Sequence, residues 1–235
     1  MKLMSGILLA LALIAGPVGA AEDLTSRAAP GPNVVNVIMY VDVREAAIPR
    51  AIALLKQYRD AQSADGSAEV DLYQEIGRPY RFAINEQWLS RSGYDSSRPA
   101  QAISQLLAGL KDIQSAPPQE HSFRRFDVGP VRAMGGGRAQ LYRISRFHVP
   151  GERQVQLLGV AKTLAEASRA DQGGMRYDVL QGANPNLDLF AIFESWSNPD
   201  ALEAHRSAAH VQRFREALVP LMISTFDDRL YGRII

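Results

Sequence analysis

The heptapeptide FAIFESW, Phe190 to Trp196, has a near-copy earlier in the chain, FAINEQW, Phe82 to Trp88. Laying Trp88 over Trp196 sets Phe82 on Phe190 and Glu86 on Glu194. Just upstream, VDLYQEI from Val70 falls over YDVLQGA from Tyr177 once one extra residue is allowed in the later loop. Asp71 then meets Asp178 and Gln74 meets Gln181. Self-similarity over such a span marks a structural unit used twice.

Outward from the repeat, both copies show the same order of elements. VVNVIMYVDV, from Val34, is rich in β-branched residues and reads as a strand. Ile48, Ile52, Leu55 and Arg59 then recur at helical spacing, with Pro49 tolerated in the first turn. Strands follow around VDLYQ and RFAINEQW, then a helix in PAQAISQLLAGLKDI and a strand in SFRRFDV. The later copy runs QLYRISRFHV, a helix with Leu157, Ala161, Leu164 and Ser168 on one face, GGMRYDVLQG, LDLFAIFESW, a helix after Asn198 and a strand near DDRLYGRI. The pattern β-α-β-β-α-β, twice, is the ferredoxin-like split βαβ unit. Such a sheet carries helices on one face and needs cover on the other. The fold class is therefore α+β, with two four-stranded antiparallel sheets facing each other inside one chain and helices outside. The units span residues 33–128 and 139–235, joined by a linker at 129–138 that holds the glycine run of AMGGGRA. No Lys-Ser or Lys-Thr follows those glycines, so they do not form a phosphate loop.

Composition narrows the function. The chain has 235 residues, 46% of them hydrophobic, with 26 basic and 25 acidic side chains. That balance gives no electrostatic footprint for nucleic acid. There are no cysteines, which removes thiolate nucleophiles, disulfides and cysteine-held metals. MKLMSGILLALALIAGPVGA, residues 1–20, has a lysine, a short apolar run and small residues before Ala20. It reads as a cleaved secretory signal peptide, too short in its apolar part to remain as a membrane span. A periplasmic or secreted protein is the expectation. No Gly-x-Gly-x-x-Gly opens a helix, so a Rossmann-type nicotinamide or flavin site has no support.

RPYRFAINEQW and FAIFESWSNPDALEAHRSAAHVQRF resemble the antibiotic biosynthesis monooxygenase domain. Its pattern is Phe, three residues, Glu, one residue, Trp, then a helix with an Ala-His pair and a second His five residues on. The later copy fits all of it; the earlier fits as far as Trp88, with Ser97 and Ala102 where the histidines would stand. The resemblance implies a dimeric α/β barrel, here built within one chain, either monomeric or pairing further. It also implies a planar aromatic substrate in the barrel interior and oxidation by dioxygen without a cofactor, in a quinol- or phenol-type monooxygenase. A non-catalytic module that binds a hydrophobic small molecule is the alternative. In haem-degrading relatives an iron-ligand histidine lies where this chain has Arg215, so haem is not expected.

The residues themselves supply candidates. Asn198-Pro199-Asp200 is a helix start and has no chemical role. If the next helix runs unbroken, His205 shares its apolar face with Ala201, Leu202, Ala208 and Ala209, and His210 points to the polar side. Imidazole titrates near neutrality, so His205 is the candidate base or hydrogen-bond partner for a phenolic oxygen. Trp196 and Glu194 share one strand face; if that face is the barrel interior, Trp196 stacks on a planar ligand there and Glu194 needs a cation, Arg146 or Arg143. Asn36, Tyr40, Tyr142 and Arg146 occupy the face opposite Val35, Val37, Met39, Val41 and Val43 and its later counterpart, and are expected to line the barrel. Arg146 would stabilise developing negative charge, and Tyr177 completes the substrate-binding set. No His-x-x-x-His or His-Glu-x-x-His pattern occurs, so no metal site is expected.

Overall fold

The computed structural model describes residues 34–64, 68–97, 100–126, 128, 139–184 and 188–235. Residues 1–33, which hold the expected signal peptide, and the expected linker at 129–138 lie outside them. The first unit comprises β1 (Val35–Asp42), α1 (Ile48–Gln62), β2 (Ala68–Glu75), β3 (Arg81–Trp88), α2 (Arg91–Ser97), α3 (Ala100–Leu110) and β4 (Gln119–Arg125). The second comprises β5 (Leu141–His148), α4 (Gln154–Ser168), β6 (Gly174–Gly182), β7 (Leu189–Trp196), α5 (Pro199–Ser207), α6 (Ala209–Leu218) and β8 (Asp227–Ile234).

The eight strands close into one barrel in the order β1-β3-β2-β8-β5-β7-β6-β4. The two sheets thus do more than face each other. β2 pairs with β8 (Leu72 opposite Ile234, Glu75 opposite Tyr231), and β4 with β6 (Phe123 opposite Gly182, Arg125 opposite Leu180). An edge strand leaves a row of backbone N–H and C=O groups unpaired, and these two ladders satisfy both edges of both sheets.

Strand alternation sorts side chains into three cores, one under the helices of each unit and one inside the barrel. Val35, Val37, Met39 and Val41 face α1 and α3 with Leu55, Tyr58, Leu106 and Leu110. Ile38 and Tyr40 face inward and meet Tyr73, Phe123, Tyr142, Ile144, Phe193 and Tyr231 from the other strands. The inward assignment of Tyr40 and Tyr142 holds; Asn36 is buried at 2% exposure on the same face of β1. The interior, however, is a packed aromatic core rather than a chamber. The rings of Tyr73 and Tyr142 lie 4.6 Å apart and those of Tyr73 and Phe193 5.9 Å apart.

Candidate active site in the sheet–helix layer

Along β7 every residue is buried. Phe193 and Ala191 point into the barrel, whereas Phe190, Ile192 and Trp196 pack under α4, α5 and α6. Trp196 and Glu194 therefore lie on the helix side, which corrects their expected place in the barrel. Arg146 is on the other side of the sheet. Its guanidinium sits 4.1 Å from the centre of the Tyr40 ring and pairs with Asp227. It cannot serve a reaction beside His205; Asn36, Tyr40 and Tyr142 are separated from that histidine in the same way.

On the helix side the polar side chains converge. Glu194, 1% exposed, accepts from Trp196 Nε1 at 2.8 Å and from Arg143 Nη1 at 2.8 Å. Arg143 also grips Asp228, with Nε and Nη2 at 2.7 and 2.8 Å. Of the two arginines offered for Glu194, Arg143 is the partner. Burial works against the Arg143 charge, but Glu194 and Asp228 outweigh it and raise its pKa.

His205, 2% exposed, sits with its ring 4.5 Å from that of Trp196 and 5.6 Å from that of Tyr177. Its Nδ1 donates to Asp171 Oδ2 at 2.7 Å. A carboxylate facing Nδ1 fixes the ring proton there and leaves the lone pair on Nε2. That Nε2 is buried without a hydrogen-bond partner, 3.5 Å from Glu194 Oε2. Burial lowers the His205 pKa against the pull of Glu194 and Asp171, so the ring is neutral near pH 7. Beside it lies a free volume of about 20 Å³, lined among others by Arg143, Leu164, Tyr177, Glu194, His205 and Phe214.

Asp171 is a site residue that the sequence did not signal. It sits in the turn after α4, which Gly173 closes with φ +80°. A Cβ on Gly173 would come within 2.6 Å of both Ala201 Cβ and Ser197 Oγ. Gly173→Ala is expected to lower stability by about 1–3 kcal/mol, read as a reduced urea midpoint, because φ and contact both oppose it.

His210 was also misplaced. The chain breaks at Ala208, where φ −67° and ψ 145° separate α5 from α6, and His210 turns back so that its ring lies 5.6 Å from that of His205. It is 12% exposed, not solvated.

The first unit has the same carboxylate, with both oxygens taken up by side chains of that unit. Trp88 Nε1 donates to Glu86 at 2.9 Å, Tyr58 Oη donates to its other oxygen at 2.5 Å, and Gln62 donates to Tyr58 at 2.8 Å. Leu164 and Ser168 occupy the matching helix positions in the second unit. Leucine cannot bond the carboxylate, so Glu194 takes Arg143 from β5, and space remains.

The family profile "Antibiotic biosynthesis monooxygenase" matches residues 141–217, the stretch that carries this site. The "Putative monooxygenase YcnE" of Bacillus subtilis (strain 168) is 30% identical over 66 residues, 28% of this chain and 68% of that protein. A solved structure from Lactobacillus acidophilus NCFM, described under the same monooxygenase heading, superposes with a TM-score of 0.66 at 12% identity, covering 86% of this chain and 94% of that one. One from Fusobacterium nucleatum superposes at 0.68 with 10% identity, covering 86% and 93%. At those identities the structures share the fold of both units. The profile match, together with 30% identity to the Bacillus subtilis protein over 68% of its length, shows that the chain belongs to the antibiotic biosynthesis monooxygenase family.

Proposed function

We propose that this chain is a cofactor-independent oxygenase for a small electron-rich phenol or quinol, working between the second sheet and α4–α6 rather than in the barrel. The state of His205 carries this reading: a neutral imidazole oriented through Nδ1 by Asp171, with a buried, unpartnered Nε2 at the pocket wall. An oriented base of that kind takes a phenolic proton. The substrate anion then passes one electron to dioxygen, and the radical pair joins at a ring carbon as a hydroperoxide. Loss of water from that carbon leaves a quinone, with one oxygen atom in the product and the other in the water. Arg143 stands near enough to offset the anion's charge, the role expected of Arg146, and Trp196 is fully buried against the His205 ring rather than a free stacking platform. The leader sequence supports placing this activity outside the cytoplasm.

A free volume of about 20 Å³ holds one water, not an aromatic ring. Substrate entry therefore requires α6 to move outward, and the extended residue Ala208 is the natural hinge. The test is oxygen uptake with a panel of hydroquinones, naphthols and anthrones. His205→Ala and the shape-conserving His205→Gln should lose about 100-fold or more in turnover. An unchanged rate in both variants, or no wild-type uptake with any panel member, removes the assignment. Saturable panel binding without uptake would favour the passive binding module instead.

A further inference from the structure

We infer that Asp171, His205 and His210 form a binding site for one divalent transition-metal ion, with zinc as the probe. The site shares Asp171 and His205 with the oxygenase reading, and an ion on Nδ1 would put the ring proton on Nε2 and so switch that base off. Three donors come from three separate elements: the turn after α4, helix α5 and the start of α6. Asp171 Oδ2 lies 2.7 Å from His205 Nδ1 and 3.0 Å from His210 Nε2, and the three ligand atoms lie within 4.8 Å of one another. Metal–nitrogen and metal–oxygen bonds near 2.0–2.2 Å place tetrahedral donors roughly 3.2–3.6 Å apart, so shifts of roughly half an ångström to one ångström in these side chains admit the ion.

A hydrogen-bonded trio does not account for the arrangement equally well. His210 Nε2 stands within reach of the Asp171 carboxylate, yet it is buried and makes no hydrogen bond. Its donor direction misses that oxygen. An ion seated among the three atoms would use this lone pair, together with that of His205 Nδ1.

The surroundings fit a metal as well. Behind His205, Glu194 Oε2 lies 3.5 Å from Nε2. Once a metal holds Nδ1, the ring proton moves to Nε2 and faces that carboxylate, the arrangement that commonly orients a metal-bound imidazole. The Asp171 and His210 side chains are 24% and 12% exposed, so the cluster lies close to the surface. Two imidazoles and one carboxylate suit zinc, nickel, copper or ferrous iron rather than calcium or magnesium. The spacing of five residues between the histidines hides this in sequence, because it puts them on one side only where the helix is interrupted.

The full chain, stripped with chelator and dialysed, should take up one equivalent of Zn²⁺ at micromolar concentration by calorimetry. Cobalt(II) should give the intense visible bands of a four- or five-coordinate site. His210→Ala and Asp171→Asn, both at partly exposed positions, should bind at least 10-fold more weakly with unchanged circular dichroism. His121→Ala and His148→Ala should bind as wild type. Absence of stoichiometric binding, or binding unaffected by His210→Ala, overturns the site. Both readouts are made without substrate, so failure of the metal site and failure of the oxygenase reading remain distinguishable.

Discussion

Arg143→Ala should be among the most damaging single substitutions in the second unit, costing about 3–5 kcal/mol. Glu194 is 1% exposed and takes one of its two short hydrogen bonds from Arg143. Removing the guanidinium leaves a carboxylate that water cannot reach, and desolvating a lone charge costs far more than a surface pair contributes. The second partner, Asp228, matters less because its side chain is 34% exposed and can hydrate. The check is a urea midpoint that falls with an unchanged slope. Arg143→Met combined with Glu194→Gln should recover much of the loss by removing the stranded charge. Acid sensitivity should change in step. Although burial opposes it, the hydrogen bond and charge of Arg143 hold the Asp228 carboxyl below its ordinary value of 3.8. That contribution is present above pH 3.8 and lost as the pH falls through the lower folded value, and Arg143→Ala should remove most of it, leaving the Ser145 hydrogen bond and the Arg206 charge.

The fold was legible because the repeat constrained it. FAINEQW and FAIFESW carry the same Phe, Glu and Trp at the same spacing, and β1 alternates cleanly enough to assign Tyr40 to the barrel and Val37 to the helices. β7 gives no such clue. All its residues are buried, so periodicity does not say which face meets the helices. That ambiguity put Trp196 and Glu194 on the wrong side and gathered Arg146 and His205 into one imagined chamber.

The break at Ala208 was illegible for a different reason. Ser-Ala-Ala-His contains neither glycine nor proline, and alanine is the strongest helix former. Packing overrides propensity here: Leu202 and His205 on α5, and Val211 and Phe214 on α6, are all buried, and the interruption lets both short helices turn their inner faces to the sheet. Asp171 escaped notice because it lies 34 residues from His205 in sequence. Only the Gly173 turn brings it back.

The asymmetry between the units leads to the other large expectation. Trp88→Ala and Trp196→Ala should each cost about 3–5 kcal/mol, because both side chains are 0% exposed and each supplies an N–H to a buried glutamate. Their effects on turnover should diverge. Trp88 belongs to a carboxylate cluster that Tyr58 and Gln62 close off from α1. Trp196 lies against the ring of His205, and deleting it leaves that ring free to leave the geometry Asp171 imposes. Under conditions where both variants remain folded, oxygen uptake by Trp88→Ala should stay within about twofold of wild type, while Trp196→Ala should fall at least about tenfold. Paired urea midpoints and oxygen-electrode rates decide it. Equal losses of turnover would mean that both units carry chemistry, contrary to an active second unit resting on a plugged first one.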